Sequence, residues 1–320
     1  KFYPEDFGDL SVKVQHMDLD FDMYEDHTVC ISTITFETLK EIKYLDLNEK
    51  NLEILEVSHE YEYLKDQDIL RINFEDEIAA NTEYSISTKT ICRPTSNILE
   101  GLYYDQTPKG CPCTQITQCQ QWGFQRIVPC IDDMTAKCTY KTSIIADSRY
   151  TNLLSNGDVS LDITQVSEGR SKIVYDNLIT PMAPYLFFLG VGTYQTYKRE
   201  FEYPNGDTFM LELLIPPGSD EQAAHFSLQV LHDCIMWVYL FTGKDKYKNL
   251  EVSEQIKDLI DAREELKLAG KDYSGLANQI ANLSKGLHFG YKYTGSVYRE
   301  IGMQNSDYGG MENVGNTTTT

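Results

Sequence analysis

No run of about 18 apolar residues occurs in the 320 residues, so nothing in the sequence is long and apolar enough to span a bilayer as a helix. Positive charge is scarce: 28 Lys and Arg stand against 49 Asp and Glu, for a formal net charge of −21. Nucleic acid and anionic lipid both require a basic face, so neither is expected as a partner. The opening Lys1-Phe2-Tyr3-Pro4-Glu5-Asp6 has no basic stretch leading into an apolar one. A cytoplasmic location is expected, although a chain starting on Lys rather than Met reads as a processed or excised segment and leaves a removed signal open. Also missing are a G-x-S-x-G elbow, a P-loop and a strand-linked G-x-G-x-x-G, which leaves serine-hydrolase and nucleotide chemistry without support.

Cysteine is present but not in the usual zinc pattern. Five of the eight lie between residues 111 and 138, yet Cys111-Pro112-Cys113 has one residue between its thiols and no second knuckle follows. Free thiols, a disulfide or a metal site all remain open for this cluster.

With 41% hydrophobic and 12% aromatic residues, the chain can build real cores. From Val12 to about Thr90, apolar and polar residues alternate in short runs, as in Val12 and Val14, then Leu19, Phe21 and Met23, and later Leu70, Ile72 and Phe74. Period two predicts half-buried strands, and turn clusters such as Asn48-Glu49-Lys50-Asn51 separate them as in an antiparallel all-β domain. The texture resumes from Thr139 to Gly192, where Asn156-Gly157 predicts a tight hairpin turn. Residues 1–200 are therefore expected to form an all-β domain.

The period then changes. After Phe209–Ile215, a further strand, Ser219 with Gln222 predicts a capping box. Ala224, Leu228, Leu231, Ile235 and Val238 recur at helical spacing until Gly243, predicting a helix of about 23 residues, near 35 Å long, as a core element. Residues 249–270, with Val252, Ile256, Leu259, Ile260 and Leu266 on one stripe, and a shorter helix starting at Asp272-Tyr273-Ser274 and bearing Leu276, Ile280, Leu283 and Leu287, predict a helical hairpin. The second domain is expected over residues 201–320.

The most telling stretch is Tyr308-Gly309-Gly310-Met311-Glu312-Asn313. Paired glycines let a backbone approach a ligand closely, and a carboxylate followed by an amide can receive an ammonium group. Alone, the run would equally be a surface turn. In order before it come Gly101-Leu102-Tyr103, Thr117-Gln118-Cys119-Gln120, Arg126-Ile127-Val128-Pro129-Cys130-Ile131-Asp132, Ile144-Ile145-Ala146-Asp147, Leu154-Ser155-Asn156-Gly157, and Thr180-Pro181-Met182-Ala183-Pro184-Tyr185-Leu186 with Gly190-Val191-Gly192. Taken together these segments resemble the aminopeptidase N family of zinc metallopeptidases, and Gly309–Asn313 resembles its G-x-M-E-N exopeptidase motif.

The resemblance implies a mainly β N-terminal domain of saddle-like antiparallel sheets, followed by the start of an α+β thermolysin-like domain in which residues 246–290 are a helical-hairpin insertion. That insertion would contact a partner, cover a cleft mouth, or simply pack on its own domain. Ser296–Met303 resembles the family's edge strand, where a peptide substrate adds as an extra strand. Carried over residue by residue, Glu312 would bind the α-ammonium of a peptide with a free N-terminus. Gly309 and Gly310 would offer backbone to that peptide, Met311 and Asn313 belong to the same motif, and Gln118 would line the first side-chain pocket. Gln120 stands where aminopeptidase N has a second glutamate, as in the leukotriene hydrolase branch. Replacing a carboxylate with an amide implies weaker amine anchoring.

In the family a helical H-E-x-x-H supplies two zinc ligands and the general base. These 320 residues contain none; His59-Glu60-Tyr61-Glu62-Tyr63 has tyrosine at the second ligand position, and His225 and His232 are two helical turns apart. The expectation is a zinc-dependent parent whose metal site lies in a missing C-terminal catalytic part, with no catalytic or metal residue in this chain, which would be inactive alone. A metal-less peptide-binding or scaffold module of the same fold is the alternative. A third reading, an epoxide hydrolase, rests only on Gln120 and Gly310.

Overall fold

In chain order the strands are β1 (Val12–Met23), β2 (Thr28–Thr38), β3 (Ile42–Asn48), β4 (Glu53–Val57), β5 (Glu60–Leu64), β6 (Ile69–Ile78), β7 (Glu83–Cys92), β8 (Gly101–Tyr104), β9 (Gln115–Gln118), β10 (Cys138–Asp147), β11 (Asn152–Ser155), β12 (Asp158–Ser167), β13 (Arg170–Met182), β14 (Leu189–Gly192), β15 (Gln195–Glu202) and β16 (Thr208–Ile215). Three helices follow, α1 (Glu221–Phe241), α2 (Lys246–Leu268) and α3 (Ser274–Ser284), and then β17 (Val297–Gly302), β18 (Gly310–Met311) and β19 (Asn316–Thr319). The computed structural model describes residues 9–242, 246–285, 290–306 and 309–320. Gly243, Leu287 and Tyr308, each given a place by the sequence, lie outside the described residues. Among the described residues the protein is mainly β, with three helices between β16 and β17.

The chain divides into two compact units, 1–195 with 215–217 and 300–320, and 196–214 with 218–299. Residues 300–320, which the sequence assigns to the second domain, pack with the first unit.

The first unit holds a seven-stranded sheet in the order β12-β13-β10-β1-β2-β7-β4, a four-stranded sheet β11-β14-β9-β8 and a three-stranded sheet β3-β6-β5. One departure from the antiparallel expectation is the β1–β10 pair, which runs parallel from His16 opposite Thr139 to Asp22 opposite Ile145. Parallel neighbours need a long connection, and most of the unit's strands lie between these two. Alternation works as read: Val12, Val14, Leu19, Phe21 and Met23 are all buried. Their parity switches because a register shift between Val14 and His16 inserts a residue into β1. The apolar faces meet in one core, where Phe187 packs on Phe124 at 4.8 Å and on Tyr140 at 5.9 Å between ring centroids.

Asn156-Gly157 is not a hairpin turn. It joins β11 to β12, which belong to different sheets, so the dipeptide turns a corner between layers. At the end of the unit, among the described residues, β18 pairs with β19 alone, Gly310 opposite Thr319 and Met311 opposite Thr318. Ser296–Met303 was expected at an edge, but β17 has β16 on one side and the N–H of Met303 donates to Thr319 O (2.7 Å) on the other. Among the described residues the free edge belongs to β18, which carries Gly310.

In the second unit β15, β16 and β17 are neighbours in that order, with α1 to α3. Asp220, not Ser219, caps α1: its carboxylate accepts from the N–H groups of Gln222 and Ala223 (2.8 and 3.1 Å). Ala224, Leu228, Tyr239 and Leu240 are the buried residues of α1, whereas Phe226 is 70% and Trp237 51% exposed, so the helix buries a stripe rather than serving as a core element. The expected hairpin of α2 and α3 is present, with Gly270 turning the chain at φ +64. A polar feature interrupts its apolar stripe: Arg263 is buried and pairs with Glu202 at 2.9 Å.

Candidate functional site

Glu312 stands out from its neighbours because the backbone around it is pinned. Met311 and Asn313 are buried at 1% and 2% exposure while Glu312 is exposed, as strand alternation dictates when two of three successive side chains face a core. The buried Tyr103 hydroxyl meets Met303 Sδ at 3.5 Å beneath this region. Past Glu312, Asn313 and Asn316 close a tight turn: the Asn316 N–H donates to Asn313 O (3.0 Å) and Gly315 takes φ +74. Two side chains fasten that turn to the β layer, Asn316 Nδ2 to Ser155 O (2.8 Å) and Asn156 Nδ2 to Val314 O (2.7 Å).

Glu312 lines a cleft of about 910 Å³ with Gln120, so two of the residues singled out from sequence face one space. The remaining wall comes from Gln121 and Trp122, from Asp132 to Thr135 with Lys137, from Thr180 to Ala183 with Tyr185 and Leu186, and from Val314. Trp122 and Met134 are large, exposed apolar groups, and Glu312, Asp133 and Lys137 bring charge. Such a mixture of apolar wall and few polar groups is usual for a ligand site of this size.

Gly309 and Gly310 are exposed and do not line this cleft. Neither has the left-handed φ that demands glycine; a Cβ on Gly309 would meet nothing within 4 Å and one on Gly310 only ordinary contacts with Thr318 and Thr319. The fold therefore does not require glycine at either position. Gln118 is 2% exposed, lies apart from the cleft lining, and neither of its amide atoms has a hydrogen-bond partner.

The sequence assigns no role to Asp132 or Lys137, yet both line the cleft. Both lie in irregular chain before β10, where no periodicity announces which way a side chain faces. Burial pushes the Asp132 carboxyl up to about 7, with Glu100 and Asp133 adding to the shift, although the Gln125 N–H donates to it at 3.1 Å and pulls the other way.

Among the described residues no three His, Cys, Asp or Glu side chains gather as metal ligands. His59 is engaged with Ser58 (2.7 Å) and Tyr84 (3.0 Å), and His232 with Asp233 (3.1 Å). The eight cysteines are free, and Cys30, Cys92, Cys119, Cys130 and Cys138 are buried, which raises their thiol pKa values by desolvation. No described helix is long and apolar enough to cross a membrane.

Residues 11–186 match the family described as Peptidase M1 N-terminal domain. The chain belongs to that family. Among curated proteins it is 27% identical over 242 residues to aminopeptidase N of Haemophilus influenzae, an alignment covering 73% of this chain and 27% of that one. It is 29% identical over 146 residues to aminopeptidase N of Escherichia coli, covering 45% and 16%. A third relative, tricorn protease-interacting factor F2 of Thermoplasma volcanium, is 28% identical over 107 residues, covering 33% and 13%. Among solved structures, Legionella pneumophila aminopeptidase A in complex with aspartic acid superposes with TM-score 0.73 over 98% of this chain and 31% of its own, at 19% identity, which is a likeness of fold. The aligned part thus spans about a quarter of the first relative's length. The match over 11–186 ends at a single 3-10 turn, Pro184–Leu186, and the residues after it carry Glu312.

Proposed function

We propose that this chain is the N-terminal part of an aminopeptidase that removes residues from the free amino end of peptides, and that it supplies the anchor for the substrate's amino terminus. What carries the reading is the shared cleft of Glu312 and Gln120, in a chain whose relatives include two aminopeptidases N. Glu312 accepts a charge-assisted hydrogen bond from the α-ammonium, and Gln120 offers its amide oxygen to the same group. The free edge of β18 presents main-chain N–H and C=O groups on which an extended peptide adds as a strand. Unobstructed glycines at 309 and 310 fit that use, since the space a Cβ would fill is left for ligand backbone.

Hydrolysis itself is assigned to a zinc site elsewhere in the full-length protein, and this chain alone binds peptides without cleaving them. The test is calorimetry of short peptides with free and N-acetylated amino ends, on this chain and its Glu312→Gln variant, beside anilide hydrolysis and zinc content of the full-length gene product. Binding that needs the free amine and Glu312, with activity in the full-length product, supports the proposal. Binding indifferent to acetylation overturns the anchor. Amine-dependent binding with neither zinc nor activity in the full-length product favours the second reading, a peptide-binding module.

A further inference from the structure

We propose that Lys137 makes this cleft selective for peptides carrying a carboxylate close to their free amino group. The inference rests on Glu312 as the amine anchor and adds a second point of recognition to it.

Lys137 is the one cation among the residues lining the cleft. That is notable in a chain with 49 acidic and 28 basic residues, where a lysine has many carboxylates to choose from. Among the described residues it nevertheless forms no ion pair, while other lysines, such as Lys50 with Asp68 at 3.2 Å and Lys198 with Glu212 at 2.7 Å, do. Its nearest acidic neighbour in sequence on that wall, Asp133, is turned to local use: one oxygen accepts from both the N–H and the hydroxyl of Thr135. Asp132 is buried, and its Oδ2 accepts from the Gln125 N–H.

The position of Lys137 is fixed by the fold. Ala136 and Cys138 on either side are buried at 3% and 2%, while Lys137 between them is exposed on the cleft wall. The backbone is held by the Ala136 N–H to Asp133 O (3.0 Å) and the Lys137 N–H to Thr135 O (2.8 Å), just before β10 begins. A cleft with a carboxylate at Glu312 and an unpaired ammonium at Lys137 complements a ligand with both charges. At about 910 Å³ it has room for a short peptide. The ligand's carboxylate can be an acidic side chain near the amino end or the C-terminus of a di- or tripeptide; the two share the chemistry that Lys137 reads.

Four ligands separate the cases: Ala-Ala-Ala with a free C-terminus, its C-terminal amide, Asp-Ala-Ala-amide and Asn-Ala-Ala-amide. Affinities are measured by calorimetry on this chain, on Lys137→Gln and Lys137→Arg, and on Glu312→Gln. The expected result is that one carboxylate ligand binds about three- to fivefold tighter than its uncharged counterpart, the scale of a single solvent-exposed ion pair. That ratio falls to about one in Lys137→Gln, persists in Lys137→Arg and shrinks as salt rises. Preference for Ala-Ala-Ala identifies the C-terminal carboxylate, and preference for Asp-Ala-Ala-amide the side chain. Ratios of one in the unaltered chain, or a preference that survives Lys137→Gln, overturn the proposal even if Glu312→Gln abolishes binding of all four. If affinity for the two uncharged amides is indifferent to Glu312→Gln, the amine anchor itself fails, and that outcome is read independently of the ratios.

Discussion

The side-chain amide of Asn156 reaches across the β layer to the carbonyl of Val314 at 2.7 Å, two residues beyond Glu312. The same side chain donates to Leu186 O (3.1 Å) and accepts from the Phe188 N–H (2.7 Å), so a residue that is 1% exposed ties together two walls of the cleft. Asn156→Ala strands one N–H and two carbonyls, and at about 1–3 kcal/mol for a buried group left unsatisfied the loss is expected to be about 2–4 kcal/mol in urea unfolding. Asn156→Asp keeps the acceptor for Phe188 but removes both donations and is expected to be no better than Ala. A loss under about 0.5 kcal/mol for both variants would show that the clamp contributes nothing.

Two glycines should respond in opposite ways to the same change. Gly157 has φ +93 and a Cβ there would overlap the Asp176 carbonyl, so Gly157→Ala combines left-handed strain with a backbone clash that no side-chain rotation relieves. A destabilisation of at least about 2–3 kcal/mol is expected. A Cβ at Gly310 would make only ordinary contacts and its φ is not positive, so Gly310→Ala should leave stability within about 0.5 kcal/mol while weakening peptide binding. Thermal unfolding and calorimetry on the two variants decide this; unchanged peptide affinity in Gly310→Ala counts against docking on β18.

Asp132 gives the chain a pH dependence whose direction can be worked out. Its carboxyl is at about 7 when folded, against about 3.9 for an unfolded aspartate, so between those values the folded chain holds a proton the unfolded chain has released. Its stabilising contribution is full below about pH 4 and lost as pH rises through about 7. The whole effect is at most roughly 4 kcal/mol, at about 1.4 kcal/mol per pH unit. Asp132→Asn keeps an acceptor for the Gln125 N–H without the titration, so the variant's stability relative to the parent should rise by a few kcal/mol between pH 5 and pH 8. Urea unfolding at the two values tests it, and an identical difference at both would remove Asp132 as the cause.

The β layer was legible because alternation is a local signal. Leu70, Ile72 and Phe74 are buried as their spacing requires, and the change from period two to helical spacing after Ile215 marks the place where α1 begins. Asn156-Gly157 misled because its strongest local meaning, a two-residue turn, was overridden by tertiary use: the amide is spent on Leu186, Val314 and Phe188, and the glycine on close approach to Asp176. Ser296–Met303 misled because pairing on both sides of a strand leaves no mark in its own residues. At the site, Glu312 and Gln120 could be picked out from motif resemblance, and both face one cleft. Lys137 and Asp132 could not be given roles, since their direction depends on how an irregular segment packs before β10.

Gln120 offers the sharpest trial of the amine anchor. It is a half-buried amide on the wall that also holds Glu312, Asp132 and Asp133. Gln120→Glu adds a carboxylate to that wall with almost no change of shape, so the free cleft gains repulsion among like charges while an incoming ammonium gains attraction. The empty protein should therefore lose up to about 1 kcal/mol of stability, and peptides with a free amino end should bind about three- to tenfold tighter near pH 7, with the gain fading in high salt. N-acetylated peptides carry no ammonium and should gain nothing, or bind more weakly where they bring a carboxylate of their own. Calorimetry with matched free and acetylated peptides separates these effects, because a general change in cleft shape would move both affinities together, whereas a charge placed beside the α-ammonium moves only one. An equal gain for both peptides would mean that residue 120 does not face the amino end of the ligand.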